Sequence, residues 1–459
     1  LTRRAAVLLG CLAITGSTWA EIEPVGPPFT IGELDEWFLV AGNDQGTTAV
    51  VLTPTGGGEA RVVILGPGSW SSWDLPVGPD DGLRDLSLTA SGDLVLLRGR
   101  PGGPLLVERR DLHGQPLAAA VTVEPGAARS CGLALAGDGR AVVTWVSPDG
   151  SDPLFDLLRL TILDRGNHEI LEPVTLASVN ALGGGFFLRS RPAVLPDTSM
   201  AVVWGEGDCG WLGCGSGIFL RFLDRSGHPT GPGCDIEPPA PSFDAVTLPS
   251  DEIAVVWTQP YPQEEQLTAE RGRFRLLGRT FSPAGTSRDF VVKADGDGHA
   301  EYYASRPSIT ASPTSHLLVA WQDDGSQSAP RPRVHLRAFD GGLAPLGPAH
   351  QLSAGAQTRD GAPVVVAESV GRYLLVLVRR EGALARVVGQ RFSVRGGPCT
   401  SDAHTLCLQQ GRFQVRATWQ DGAGADHDAR AVPLTGTGGY LWFFGEDNVE
   451  VLVKVLDAC

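Results

Sequence analysis

The stretch from Trp204 to Phe222, WGEGDCGWLGCGSGIFLRF, holds two spacings that elsewhere do chemistry: a G-x-G-x-x-G (Gly205, Gly207, Gly210) and a C-x4-C (Cys209, Cys214). A phosphate cradle needs its glycines to open a helix, so that backbone amides and the helix dipole meet the anion. Here an apolar run precedes the glycines and the alternation of Ile218 to Leu223 follows them, which predicts strand, turn, strand. A zinc knuckle would need two further ligands, with Cys234 and His228 the nearest downstream.

Other catalytic spacings fail in turn. There is no G-x-S-x-G, no P-loop and no C-x-x-C-H. His168-Glu169 opens like H-E-x-x-H, but Glu172 stands where the second imidazole must be. Asp295, Asp297 and His299 alternate like the start of a calcium loop and lack the downstream bidentate Glu. Asp426-His427-Asp428 reads as a solvated loop, and Ser147-Pro-Asp149-Gly150 has the wrong spacing for the S-x-D-x-G-x-x-W box of sialidase-like propellers. No catalytic residue, metal ligand or cofactor follows from these patterns.

The chain of 459 residues carries a formal charge of −15 without a basic cluster, which disfavours nucleic acid and anionic membranes as partners. Residues 1–20 read as a signal peptide: Arg3-Arg4, an apolar run from Ala5 to Ile14, and Thr18-Trp19-Ala20 before a cleavage that starts the mature chain at Glu21. The run ahead of Cys11 is too short for a lipoprotein signal, and no later stretch reaches the ~20 apolar residues of a membrane helix. The expected location is secreted, periplasmic or cell-surface. Export permits disulfides and favours them over zinc at Cys209, Cys214 and Cys234; Cys399 and Cys407 are a second, local candidate pair.

What positions these residues is a repeat. SCGLALAGDGRAVVTWVS (130–147), SRPAVLPDTSMAVVWGE (190–206), PSFDAVTLPSDEIAVVWTQ (241–259) and SRPSITASPTSHLLVAWQD (305–323) share one pattern: apolar run, polar turn, β-branched run, tryptophan. Trp145, Trp204, Trp257 and Trp321 lie 59, 53 and 64 residues apart. Each tryptophan is followed by a polar loop and a second hairpin ending in a Gly-containing turn such as Asp224-Arg-Ser-Gly227. Copies without the tryptophan occupy 85–116, 363–394 and, raggedly, 36–65. Four strands per unit, repeated about seven times between residues 31 and 396, predict an all-β fold, a β-propeller of about seven four-stranded blades. The tryptophans are expected to wedge between neighbouring sheets. The repeat resembles P-x-V-x-x-x-x-D-G-x-x-V-V-x-W and F-D-x-x-G-x-P units of large secreted bacterial proteins of uncharacterised function that are read as propellers.

From Gly397 the pattern changes to Leu406-Cys407-Leu408, RFQVRATW (412–419), GYLWFF (439–444) and NVEVLVKVLD (448–457). These residues resemble a C-terminal β-module common in exported bacterial proteins. Residues 397–459 are therefore expected to form a small β-sandwich-like unit, and its few strands, with a cysteine at position 459, suggest a natural chain that continues.

In a propeller the loops between second and third strands emerge on one face with the loops between blades. The longest are Gly205 to Gly217, Thr258 to Gly272 and Gln322 to Arg333, displaying Asp208, Trp211, Tyr261, Glu264, Glu265, Asp323 and Asp324. Acidic and aromatic groups on one rigid face are the expected site for a carbohydrate, peptide or envelope partner. The rival expectation is a hydrolase or lyase acting on extracellular polysaccharide, which requires two or three carboxylates and an Arg converging in the central channel.

Overall fold

The computed structural model describes residues 12–15 and 21–454, apart from 35–36, 44, 55–57, 79–81, 100–102, 127, 153, 182–184, 211–212, 232, 238–241, 261–273, 294–303, 314–315, 324–332, 353–357, 383, 396–402, 409–412, 421–425, 436–437 and 443–450. No helix occurs among the described residues. The chain divides into two units, one holding 24–345 and 349–393, the other 1–23, 346–348 and 394–459.

The larger unit is a seven-bladed β-propeller. Its antiparallel blades span 37–77, 83–124, 131–180, 185–237, 243–293, 304–351 and 358–395, each with its strands paired in chain order. First strands of successive blades touch all the way round, and that of blade 7 meets that of blade 1, so the first strands form the wall of an axial channel. Blade 7 draws three strands from the end of the repeat and is closed by Phe29–Glu33, paired with Leu384–Arg395 through Phe29↔Gly389 and Glu33↔Arg386. A Cβ on Gly389 would fall 2.5 Å from the Phe29 ring, and the Arg391 guanidinium lies 5.4 Å from that ring's centre while binding Glu368.

The repeat tryptophans are wedges. Trp145, Trp204, Trp257 and Trp321 are all almost fully buried, and each packs with the core residues of the preceding blade. Trp257, for example, shares a core with Ala201, Val203, Ile218 and Leu220 of blade 4. Each sheet is thus buried on both faces, which explains why its middle strands read as unbroken apolar runs such as IAVVW at 253–257.

Two turn designs recur. Between first and second strands a five-residue turn closes with paired backbone bonds, as in Leu195 N to Ser199 O and Thr198 N to Leu195 O, both 2.8 Å. Its fourth residue is left-handed: Gly46, Gly92 and Gly139 fill it in three blades, Thr198 (φ 71°) and Asp251 (φ 58°) in two others, while blade 7 joins Ser369 to Arg372 through Val370 and a left-handed Gly371. Between third and fourth strands, Asp111, Asp164, Asp224 and Asp340 each accept backbone N–H bonds from the residues two and four places on. The bond from the His168 amide, chiefly, holds the Asp164 carboxyl below the ordinary aspartate range, and that from the His228 amide does the same at Asp224.

The smaller unit packs strands Leu406–Leu408 and Phe413–Gln420, with Leu12–Thr15 and Asp426–Asp428, against a second sheet of Arg430–Thr435, Gly438–Trp442 and Val451–Lys454. Leu406, Val415, Ala429, Leu441 and Val453 form its core.

A β-branched residue in the left-handed region costs roughly 1–2 kcal/mol, against roughly 0.5–1 kcal/mol for the extra freedom of glycine when unfolded. Thr198→Gly should therefore raise stability by about 0.5–1 kcal/mol in urea unfolding, and Asp251→Gly by less, since Asp tolerates that region. The depressed Asp164 and Asp224 carboxyls contribute stability that is present above about pH 4, the unfolded value, and lost as pH falls through their lower folded values. Asp164→Asn and Asp224→Asn should each flatten the loss of thermal stability measured between about pH 5 and pH 3.

Candidate functional site: the axial channel

At the end of the channel where the first-to-second-strand turns emerge, six blades surround a cavity of about 740 Å³. Its walls include Asn43, Gly137, Thr198, Thr247, Ser312 and Ser369, with Pro196, Pro249 and Pro313 of three consecutive blades. Among the described residues Asp138 is its one charged lining residue, and that carboxylate is held by Arg140 at 2.8 Å. The Asn43 amide is likewise engaged, donating to Thr89 O at 2.9 Å.

Deeper along the first strands, charged groups from several blades meet. Arg191 of blade 4 donates through Nε to Asp244 of blade 5 at 3.0 Å, and its Nη1 lies 3.8 Å from Asp85 of blade 2. Asp85 also accepts the backbone N–H groups of Leu86 and Leu133, both at 2.9 Å. Asp244 accepts that of Ile309 at 3.2 Å. Blade 3 supplies Gly132 between them, where a Cβ would fall 2.6 Å from Ser190 O and from Pro192 Cδ. Beside this group the Cys131 thiol is free, pushed up to about 12 by burial and by the Asp85 charge, so it stays protonated.

The carboxylate and arginine convergence required of an enzyme is therefore present, but both acids are occupied by amides of the neighbouring first strands and by Arg191. Glu206 has its carboxyl held above the ordinary value by burial, and accepts the Trp204 Nε1–H at 2.7 Å. It stands on the second strand of blade 4, opposite Phe187. Among the described residues no group of three His, Cys, Asp or Glu side chains could hold a metal ion.

The predicted loop residues fall mostly outside the described residues: Trp211, Tyr261, Glu264, Glu265 and Asp324 do. Asp208 and Asp323 have described backbones, in strands Met200–Gly210 and Leu317–Asp323. The span Gly205 to Gly217, expected as a loop, is instead ladder: Met200–Gly210 and Gly213–Leu223 pair continuously from Met200↔Leu223 to Gly210↔Gly213. Aromatic cover sustains these glycine-rich strands, since a Cβ on Gly207 would enter the Phe186 ring. The backbones of Cys209 and Cys214 are paired in register, and their side chains lie outside the described residues. Cys234, expected as a disulfide partner, carries a free thiol packed on the core around Trp257. It pairs with Leu220, six residues along the strand from Cys214, about 20 Å away in an extended chain. The side chains of Cys399 and Cys407 lie outside the described residues.

Sequence reading missed Asp85, Arg191 and Asp244. They sat inside the repeat wording (R-D at 84–85, S-R-P at 190–192, F-D at 243–244) and read as ordinary strand residues. The available signal was a charge in a strand destined to be innermost.

No protein-family model matches the chain, and no curated protein matches it significantly. Among solved structures it is similar to the polysaccharide lyase Uly1 (8% identity, 78% of this chain and 89% of that one, TM-score 0.49). It is also similar to a protein of unknown function from Dyadobacter fermentans (12%, 81% and 100%, 0.42) and to oligopeptidase B from Leishmania major (9%, 86% and 49%, 0.42). At these identities and TM-scores nothing about activity is carried over; the propeller assignment rests on the sheets described above.

Asp244→Ala removes the acceptor of the Ile309 amide and strands the Arg191 guanidinium. It should cost about 2–4 kcal/mol in urea unfolding, and Asp244→Asn, which keeps an acceptor, clearly less.

Proposed function

We propose that this protein is an exported binding or scaffold propeller that holds a carbohydrate or peptide segment of an extracellular or envelope partner at its axial channel. The observation that carries this reading is the 740 Å³ cavity ringed by six blades, walled by hydroxyl, backbone and proline groups, whose one carboxylate among the described residues is already paired. That volume lies within the range of sites that enclose small ligands, and uncharged hydrogen-bonding walls suit a neutral polyhydroxylated or amide-rich chain. A hydrolase or lyase needs an acid or base free to reach substrate. The channel acids Asp85 and Asp244 are committed to first-strand amides and to Arg191, which supports binding without turnover.

Gly137 offers a clean test, because a Cβ there meets no heavy atom within 4 Å. Gly137→Trp should fill the cavity and leave the melting temperature within a few degrees. Co-sedimentation with polysaccharides and cell-envelope fractions should show binding by the native protein, weakened at least tenfold in Gly137→Trp, with no new reducing ends or shortened chains. Equal retention of the two proteins, or release of cleaved product, would overturn the reading.

A further inference from the structure

The first strands of blades 2, 4, 6 and 7 share an irregularity. In blade 2 the register slips between Leu83 and Asp85, so Arg84 is the extra residue. In blade 4 it slips between Phe187 and Ser190, across Leu188 and Arg189. In blade 6 it slips between Ser305 and Ser308, across Arg306 and Pro307, and in blade 7 between Gly361 and Val364. A bulge of this kind frees one residue from the ladder and re-aims it. Three of the four bulges carry an arginine, in alternate blades and within about a residue of the same level of the channel wall.

Two of these arginines have described side chains. Arg84 donates through Nε to Gly99 O at 2.9 Å, yet its buried Nη2 has no hydrogen-bond partner. Arg189 is exposed, and its one described hydrogen bond is a long 3.5 Å contact to Phe243 O. Its affinity for its proton is lowered to about 10, chiefly by the neighbouring Arg191 charge, while Asp244 and Asp85 act in the opposite sense. A side chain open to solvent whose Nη1 reaches towards Phe243 O, on the first strand of blade 5, lies along the channel wall between blades 4 and 5. The described groups there are three arginines (Arg84, Arg189, Arg191) against two aspartates (Asp85, Asp244), and both aspartates are already bonded. Among these described groups the guanidiniums outnumber the carboxylates by one, a local positive excess that an anion would share.

We infer that the channel binds an anionic group, a carboxylate or sulfate borne by an extended ligand, with Arg189 as its principal partner and Arg84, on the bulge of blade 2, to assist. The guanidinium fork suits such oxyanions bidentately. The inference rests on the binding reading only in taking the channel to be open to ligand, and it places the anion deeper than the cavity that Gly137 lines.

The experiment is isothermal titration with trigalacturonate as carboxylate probe, sodium sulfate as oxyanion probe and maltotriose as neutral control. Native protein should bind trigalacturonate, at least tenfold more weakly at 300 mM than at 50 mM NaCl. Arg189→Ala should weaken that binding at least tenfold with an unchanged melting temperature, and Arg189→Lys should recover part of it. Binding of sulfate but not trigalacturonate, lost in Arg189→Ala, would also support the anion site and identify the sulfated class. Absence of binding by both anions, or equal binding by Arg189→Ala, overturns the inference. If maltotriose binds and Gly137→Trp abolishes it while anions show no dependence on Arg189, the binding reading stands and the anion site falls. Dependence on Arg189 with no effect of Gly137→Trp gives the converse.

Discussion

Seven first strands stand around one axis, each paired on one edge only, and the amides of the other edge face the channel or the next blade. Unsatisfied edges are costly when buried and adhesive when exposed. This propeller answers with side chains from the neighbouring first strand. Asp85 takes the amide of Leu133, Asp244 that of Ile309, Ser308 Oγ that of Val365, and Thr310 Oγ1 that of Ala367. Between blades 3 and 4, where Gly132 allows the closest approach, the hydroxyls of Thr144 and Ser190 meet at 2.9 Å. The ring is therefore stitched by polar groups between its first strands, and the same stitching engages the channel acids Asp85 and Asp244.

Outside this inner ring, blade spacing is set by apolar wedges and by one buried cation. Each repeat tryptophan fills the gap to the preceding sheet, and where the Trp145 indole N–H needs an acceptor, Glu124 of blade 2 reaches it at 2.9 Å. Arg109 of blade 2, only 2% exposed, has no carboxylate partner. Its three bonds go to Asn167 Oδ1 (2.7 Å), Gly139 O and Asp164 O (both 3.0 Å), so one side chain ties blade 2 to both turns at one end of blade 3. Burial lowers its affinity for its proton, and satisfied donors rather than a counter-charge hold it in place. The turns of blade 3 are thereby fixed from outside, which helps to shape the cavity wall that Gly137 and Asp138 contribute.

The repeat made the architecture readable. Trp145, Trp204, Trp257 and Trp321 marked the second strands, and Asp-x-x-Gly marked the outer turns, because both features satisfy local needs: a wedge, and a carboxylate over free amides. The candidate site was far less readable. Asp208, Trp211, Tyr261 and their fellows were chosen by loop length, a surface criterion. The charges that meet at the axis lie in blades 2, 4 and 5, more than 150 residues apart from Asp85 to Asp244, and no spacing within one repeat announces them. The hairpin of blade 4 was misread for a related reason. Glycines signal a turn locally, yet here Phe186 from the adjacent strand covers Gly207 and lets the ladder run on.

The sequence by itself determined the repeated hairpins and the order of blades, since both follow from alternation and from turn signals spanning a few residues. Closure did not follow from it. That Phe29–Glu33 completes the blade begun at Thr358 depends on a free edge meeting a distant strand after seven blades have curved into a ring. Ring closure likewise decided which bulged arginines share a channel and which acids are already spent, because charge is counted in space, and only the closed ring brings those residues within reach of one another.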